Sequence, residues 1–167
     1  GNLAIAIGKD IEYSRVSINN HFYWIATQRL QELEEFEIEI VSSCNGSELI
    51  GSSYNPAYIE YETLYSDGAF RLIHSDDTNT DSGSGLVSQA PAYGESDFYA
   101  LKNSGIDVIA DPVTLSGKFD NTFKELEGLN VKDADSLIMK QLKERGNLFS
   151  QKTATHSYPF CWRTGTP

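Results

Sequence analysis

An α+β fold, mainly an antiparallel or mixed β-barrel with peripheral helices, is what this sequence predicts. Short apolar or alternating runs bounded by turn residues recur along it, and only a few stretches carry helical periodicity. The 167 residues fit one domain, 1–167, long enough to bury a core. With 40% hydrophobic and 11% aromatic residues, the composition excludes a disordered chain.

The elements follow in order. Leu3 to Ile7 reads as a buried strand, and "EYSRVSI" (12–18) alternates like a strand with one wet face. Asn19-Asn20 signals a turn into a further strand, "HFYWIA". Thr27 is placed to cap "QRLQELEEF", where Leu30, Leu33 and Phe36 share a helical stripe. "EIEIVSS" (37–43) alternates, with Ile38 and Ile40 on one side and Glu37 and Glu39 on the other. A turn-rich section runs from "NGSELIGSSYNPAY" to Gly68, and "AFRLIHS" then predicts a strand. After a loop from Asp76 to Gly83 and the stretch "SGSGLVSQAPAYGESDF" (82–98), "SDFYALKNSG" predicts a short helix ended by Gly105. "IDVIADPV" predicts a strand closing at Pro112. "VKDADSLIMKQLKERG" predicts the longest helix, with Ala134, Leu137, Ile138 and Leu142 on its apolar face and Gly146 as its stop.

Composition narrows the functions. The chain has 13 basic and 24 acidic residues, a net charge of −11, which argues against a self-sufficient nucleic-acid binder. It leaves room for a domain that receives a nucleic-acid end delivered by other parts of a larger protein. No apolar run reaches the roughly 18 residues of a membrane span, so no membrane partner is expected. Cys44 and Cys161 have neither zinc spacing nor the density of a disulfide scaffold, which favours a reducing, cytoplasmic setting. His21, His74 and His156 are scattered, so no metal site is expected. Both ends, "LAIAI" after Gly1-Asn2 and "CWRTGTP", read as cut from a longer polypeptide.

Several motifs fail on their own terms. In "DDTNTDSGSG", Asp77, Asn79 and Asp81 sit at calcium-loop positions, but the turn glycine is replaced by Ser82 and the bidentate glutamate by Ser88. "GSGLVS" lacks the third glycine of a dinucleotide fingerprint and precedes a strand. No G-x-S-x-G elbow surrounds any serine, so a nucleophilic triad is unsupported. What remains is the strand, turn and helix of residues 82–98, which would hold something small against Asp97.

At "GSGLVSQAPAYGESDF" and "HSYPFCWRTGTP" the sequence resembles the inserted editing domain (connective peptide 1) of isoleucyl-tRNA synthetases. That family reads T-G-T-G-x-V-H-x-A-P-x-x-G-E-D-D-Y/F, and Ser82 to Phe98 tracks it with few changes. The "A-P-A-aromatic-G-E" wording is similar to the eukaryotic-type branch. "VKDAD" (131–135) and "HSYPFCWR" (156–163) follow in the family's order, and Asn2-Leu3-Ala4 matches the end of its Thr-rich segment. The resemblance implies a distorted β-barrel and the hydrolysis by water of mischarged Val-tRNA(Ile). One methylene in an apolar pocket is worth only ~1–3 kcal/mol, a magnitude known for the isoleucine enzymes themselves and not a result of this structure. A second, hydrolytic sieve answers that limit.

The resemblance also assigns roles. Asp97 matches the acid that holds the α-ammonium of the aminoacyl ester, and the first turn of a helix stabilises such a carboxylate. Asn2 matches the last residue of the Thr-rich segment, the rest of which is expected to precede Gly1. Ala90, Pro91 and Ala92 would form the pocket floor, with Tyr93 and Gly94 at its rim. Ser88 departs from the pattern, standing where the family has histidine. Strand alternation puts it on one face with Leu86 and Ala90, looking into the pocket. A hydroxyl bonds water but lacks the volume and protons of an imidazole. The expected partners are the aminoacylated 3′ end of tRNA(Ile) and the rest of a parent synthetase. ATP and magnesium would belong to that synthetase's catalytic domain, and no cofactor to this one. Ser88 also keeps open an editing-impaired, non-catalytic insert that positions the tRNA acceptor end.

Overall fold

The structure, a computed structural model, describes residues 1–151 and 160–165. It divides into two compact units, Gly1–Val131 and Lys132–Pro167.

In the first unit the strands are β1 (Ala4–Ile7), β2 (Glu12–Ile18), β3 (His21–Ala26), β4 (Glu39–Asn45), β5 (Arg71–His74) and β6 (Val87–Gln89). The helices are α1 (Gly46–Leu49) and α2 (Glu95–Asn103), with 3₁₀ turns over Thr27–Leu33 and Ile59–Asp67. One sheet has β1 at its centre, parallel to β5 (Ala4 opposite Arg71) and antiparallel to β6 (Ala4 opposite Gln89). The other sets β2 between β3 and β4, both antiparallel. The β2–β3 hairpin turns on Asn19 and Asn20, both at positive φ (50° and 66°), the twist a two-residue hairpin needs.

The Ile7, Tyr13 and Ala26 side chains are fully buried and pack with Ile5, Ile11, Leu49, Leu72 and Leu86, so this core takes residues from both sheets. Tyr13 holds it at two points: its hydroxyl accepts the Gly8 N–H (3.0 Å) and donates to the Gly85 carbonyl (2.8 Å). A second core gathers Val16, Ile18, Ile25 and Leu33 beneath Leu30, Phe36 and Ile38. The stripe read from Leu30, Leu33 and Phe36 is thus a packed face, with Leu30 and Leu33 on a 3₁₀ turn rather than an α-helix and Phe36 beyond its end.

Among the described residues the strands form two three-stranded sheets and close no barrel. The predicted strand "IDVIADPV" is the reason most easily named. It forms no ladder, and only Val113 makes an isolated bridge, to Phe119. Proline at 112 has no N–H to give a neighbour. The end of β3 is tied instead to the loop before β6, where the Ala26 N–H donates to the Ser84 carbonyl (2.8 Å).

Three smaller expectations also change. Thr27 caps nothing, because its Oγ1 pairs with Ser14 Oγ at 2.8 Å. The alternation over 37–43 breaks at a bulge: Arg15 faces Ser42 while Val16 faces Ile40, leaving Val41 extra and Ile40 exposed. The turn-rich section contains α1 and the 3₁₀ turns of Ile59–Asp67.

In the second unit α3 (Val131–Glu144), whose first residue closes the first unit, stops where predicted. Gly146 has φ 72°, its N–H bonds the Lys143 carbonyl (3.1 Å), and the Asn147 N–H bonds the Leu142 carbonyl (2.8 Å). Of the "HSYPFCWR" segment, 156–159 lie outside the described residues. Arg163 lies over the Trp162 ring, 4.8 Å from its centroid.

Candidate functional site

The site is built on β6, the turn after it and α2. Ser88 lies on β6 opposite Ile5 of β1, with its side chain exposed. The chain then turns on Ala90, whose carbonyl accepts the N–H groups of Tyr93 (2.9 Å) and Gly94 (3.2 Å). Helix α2 starts after Gly94 and ends at Asn103, where Gly105 (φ 72°) lets the chain leave.

Asp97, in the first turn of α2, reaches back across the turn. Its Oδ2 accepts the Ala90 N–H at 2.8 Å, and Ser96 Oγ donates to Oδ1 at 3.4 Å. The carboxylate therefore ties the helix start to the strand end. Gly94 is what lets it lie there: a Cβ on that residue would stand 2.8 Å from the Asp97 Cγ. Each carboxylate oxygen keeps acceptor capacity beyond these bonds.

Asn2 and Ser88, 86 residues apart, are joined directly. Asn2 Nδ2 donates to Ser88 Oγ (2.7 Å) and to the Ala4 carbonyl (2.8 Å). The Asn2 Oδ1 accepts the Tyr54 hydroxyl at 2.5 Å, and Tyr65 donates to the Tyr54 carbonyl at 2.5 Å. Burial pushes the Tyr54 phenol well above its ordinary pKa, against the opposing pull of its bond to Asn2. Local sequence around Tyr54 and Tyr65 carries no signal for this role; only the fold brings them to Asn2.

Tyr93 is 54% exposed, and its hydroxyl donates to Asp111 Oδ1 (2.9 Å). Desolvation first, then that carboxylate, raises the Tyr93 pKa. A Cβ on Gly1 would meet the Tyr93 ring at 2.5 Å, so residue 1 runs against the ring one position before Asn2. Ala90, Ala92 and Gly94 are half-buried. Pro91 is buried and lines a small recess with Phe98, Leu101 and Ile106. The structure thus joins Asn2 to Ser88, and Asp97 to Ala90, with Tyr93 set beside residue 1. Ser88 and Asp97 are linked through the two-residue path to the Ala90 amide rather than by a shared bond.

No family model matches the chain. Its fold matches the crystal structure of GlLeuRS-CP1, with a TM-score of 0.67 at 11% identity, over 91% of this chain and 79% of that one. In sequence the chain is 41% identical over 171 residues to the isoleucine–tRNA ligase of Bdellovibrio bacteriovorus, covering 99% of this chain and 16% of that protein. It is 36% identical over 173 residues to the cytoplasmic enzyme of Caenorhabditis elegans, covering 99% of this chain and 15% of that protein. Against the cytoplasmic enzyme of Saccharomyces cerevisiae the identity is 34% over 176 residues, again 99% of this chain and 16% of that protein. Over almost its whole length the chain is homologous to a segment of isoleucyl-tRNA synthetases, and it spans about 16% of the length of the relatives it matches. Among the described residues no helix is long and apolar enough to cross a membrane.

Proposed function

We infer that the chain is a hydrolytic editing domain that deacylates mischarged Val-tRNA(Ile), with water as the nucleophile. The observation that carries this reading is the convergence of Asn2, Ser88 and the Asp97-braced turn at one end of β1 and β6. Asp97 presents its remaining lone pairs to the ester's α-ammonium. Ala90, Pro91 and Ala92 form the floor beneath the acyl group, and Tyr93 and Gly94 the rim. Water adds to the acyl carbon, the ester C–O bond breaks, and the ribose oxygen leaves with a proton. No cofactor is assigned to this domain; ATP and magnesium serve the synthetase's catalytic domain. The partners are the aminoacylated 3′ end of tRNA(Ile) and the rest of the enzyme, acting in the cytoplasm.

The test is Val-tRNA(Ile) deacylation by the full-length enzyme and its Asp97→Ala form. Loss of deacylation with aminoacylation intact supports the reading, and equal deacylation overturns it. Ser88, without an imidazole, favours a second reading: an editing-impaired insert that positions the acceptor end. A wild-type enzyme that binds a non-hydrolysable valylamino-adenosine in this domain yet leaves Val-tRNA(Ile) intact would establish that alternative.

A further inference from the structure

The Asn2 amide fixes the direction of every hydrogen bond around Ser88. A backbone carbonyl only accepts, so the Asn2 atom 2.8 Å from the Ala4 oxygen is its NH₂ group. Oδ1 then faces Tyr54, whose hydroxyl must donate to it. The second hydrogen on Nδ2 goes to Ser88 Oγ at 2.7 Å. Ser88 Oγ is therefore an acceptor towards Asn2, and its own hydrogen is left for whatever lies on the exposed side.

We propose that Ser88 donates its hydroxyl hydrogen to the acyl carbonyl oxygen of the bound ester, and that Tyr54, through Asn2, is the positioning residue that makes it a donor. This rests on the editing reading above. Water attack turns that carbonyl oxygen into an oxyanion, and a donor already aimed at it favours the charged state over the ester. The tetrahedral species then expels the ribose oxygen, which takes a proton derived from the water. Ser88 remains protonated throughout, so it needs none of the titrating capacity of histidine. Tyr54 touches no substrate. Without its hydroxyl, Asn2 Oδ1 loses its partner, the amide is free to turn its oxygen towards Ser88, and the serine proton is drawn inward.

The experiment is a double-mutant cycle on Val-tRNA(Ile) deacylation by the full-length enzyme, with Tyr54→Phe, Ser88→Ala and the pair. Ser88→Ala is expected to lower kcat by about 100- to 1,000-fold with KM little changed, in the range of a lost oxyanion donor. Tyr54→Phe should lower kcat about tenfold, and the pair should be no slower than Ser88→Ala alone. Ser88→Thr, which keeps the hydroxyl, should restore most of the rate. Multiplying effects, or a Ser88→Ala enzyme as fast as wild type, would overturn the proposal while leaving the editing function in place. If Tyr54→Phe unfolds the domain, Asn2→Ala breaks the same link and must show the same non-additivity with Ser88→Ala. A wild-type enzyme that neither hydrolyses Val-tRNA(Ile) nor binds valylamino-adenosine overturns the editing reading and this inference together.

Discussion

Gly94→Ala isolates the contact that shapes the turn. At φ −132° the backbone accepts alanine without strain, so the cost comes from space alone. The new Cβ would lie 2.8 Å from Asp97 Cγ and 2.9 Å from Oδ2, closer than a real Cβ approaches such atoms. The carboxylate must rotate away, breaking its 2.8 Å bond with the Ala90 N–H. A hydrogen bond to a charged group contributes about 1.5–3 kcal/mol. Against this, alanine stiffens the unfolded chain and returns about 0.4–1 kcal/mol. The net loss is about 1–2 kcal/mol, which for a chain of this size lowers Tm by roughly 2–8 °C. Urea and thermal unfolding followed by circular dichroism measure it. The informative comparison is the same change in an Asp97→Ala background, where nothing remains to clash and Gly94→Ala should be neutral or slightly stabilising. An equal loss in both backgrounds would refute the account of why glycine stands at the head of α2.

Other expectations follow from single groups. Among the described residues the buried Tyr61 hydroxyl has no hydrogen-bond partner, so Tyr61→Phe should leave stability unchanged or raise it by about 1 kcal/mol in urea titration. Burial, with Asp120 and Asp111 adding to it, pushes the Tyr61 pKa up to about 12 from an ordinary 10. The folded chain therefore holds this proton longer than the unfolded one. Its contribution is complete below pH 10 and fades as pH rises towards 12, a loss that Tyr61→Phe removes from the alkaline stability profile. Tyr13→Phe strips partners from the Gly8 N–H and the Gly85 carbonyl at once, and should cost about 2–4 kcal/mol in the same titration. Ser88→His, measured as Val-tRNA against Ile-tRNA deacylation by the full-length enzyme, should shrink the pocket and reduce hydrolysis of Ile-tRNA. Unchanged rates and selectivity would show that this position does not set the pocket's size.

Local signals in the sequence suffice where one residue type decides the backbone. Asn19-Asn20 at a hairpin and Gly105 and Gly146 past helix ends each reflect a backbone need that few residues meet, whereas β2 has no wet face, Tyr13 and Ser14 both being buried. The bulge at Val41 was hidden, because it depends on how β4 meets β2 and not on β4 itself. "IDVIADPV" has the composition of a strand, but composition cannot supply the neighbour a ladder requires. At the site, residues 82–98 disclosed the turn and Asp97. The pairing of Asn2 with Ser88 and the support from Tyr54 and Tyr65 join segments more than 50 residues apart, or reach through a backbone carbonyl that any residue possesses.

The central place of β1 has a consequence for the order of assembly. β1 is made before both of its partners, β5 and β6, which lie at 71–74 and 87–89. The β3–β2–β4 sheet needs only the chain up to Asn45, so it is free to form during synthesis while β1 waits as an unpaired strand with both edges open. A nascent chain halted before Arg71 would hold one sheet and an unsatisfied ribbon, and the bond between Asn2 and Ser88 closes only once that strand has been claimed from both sides.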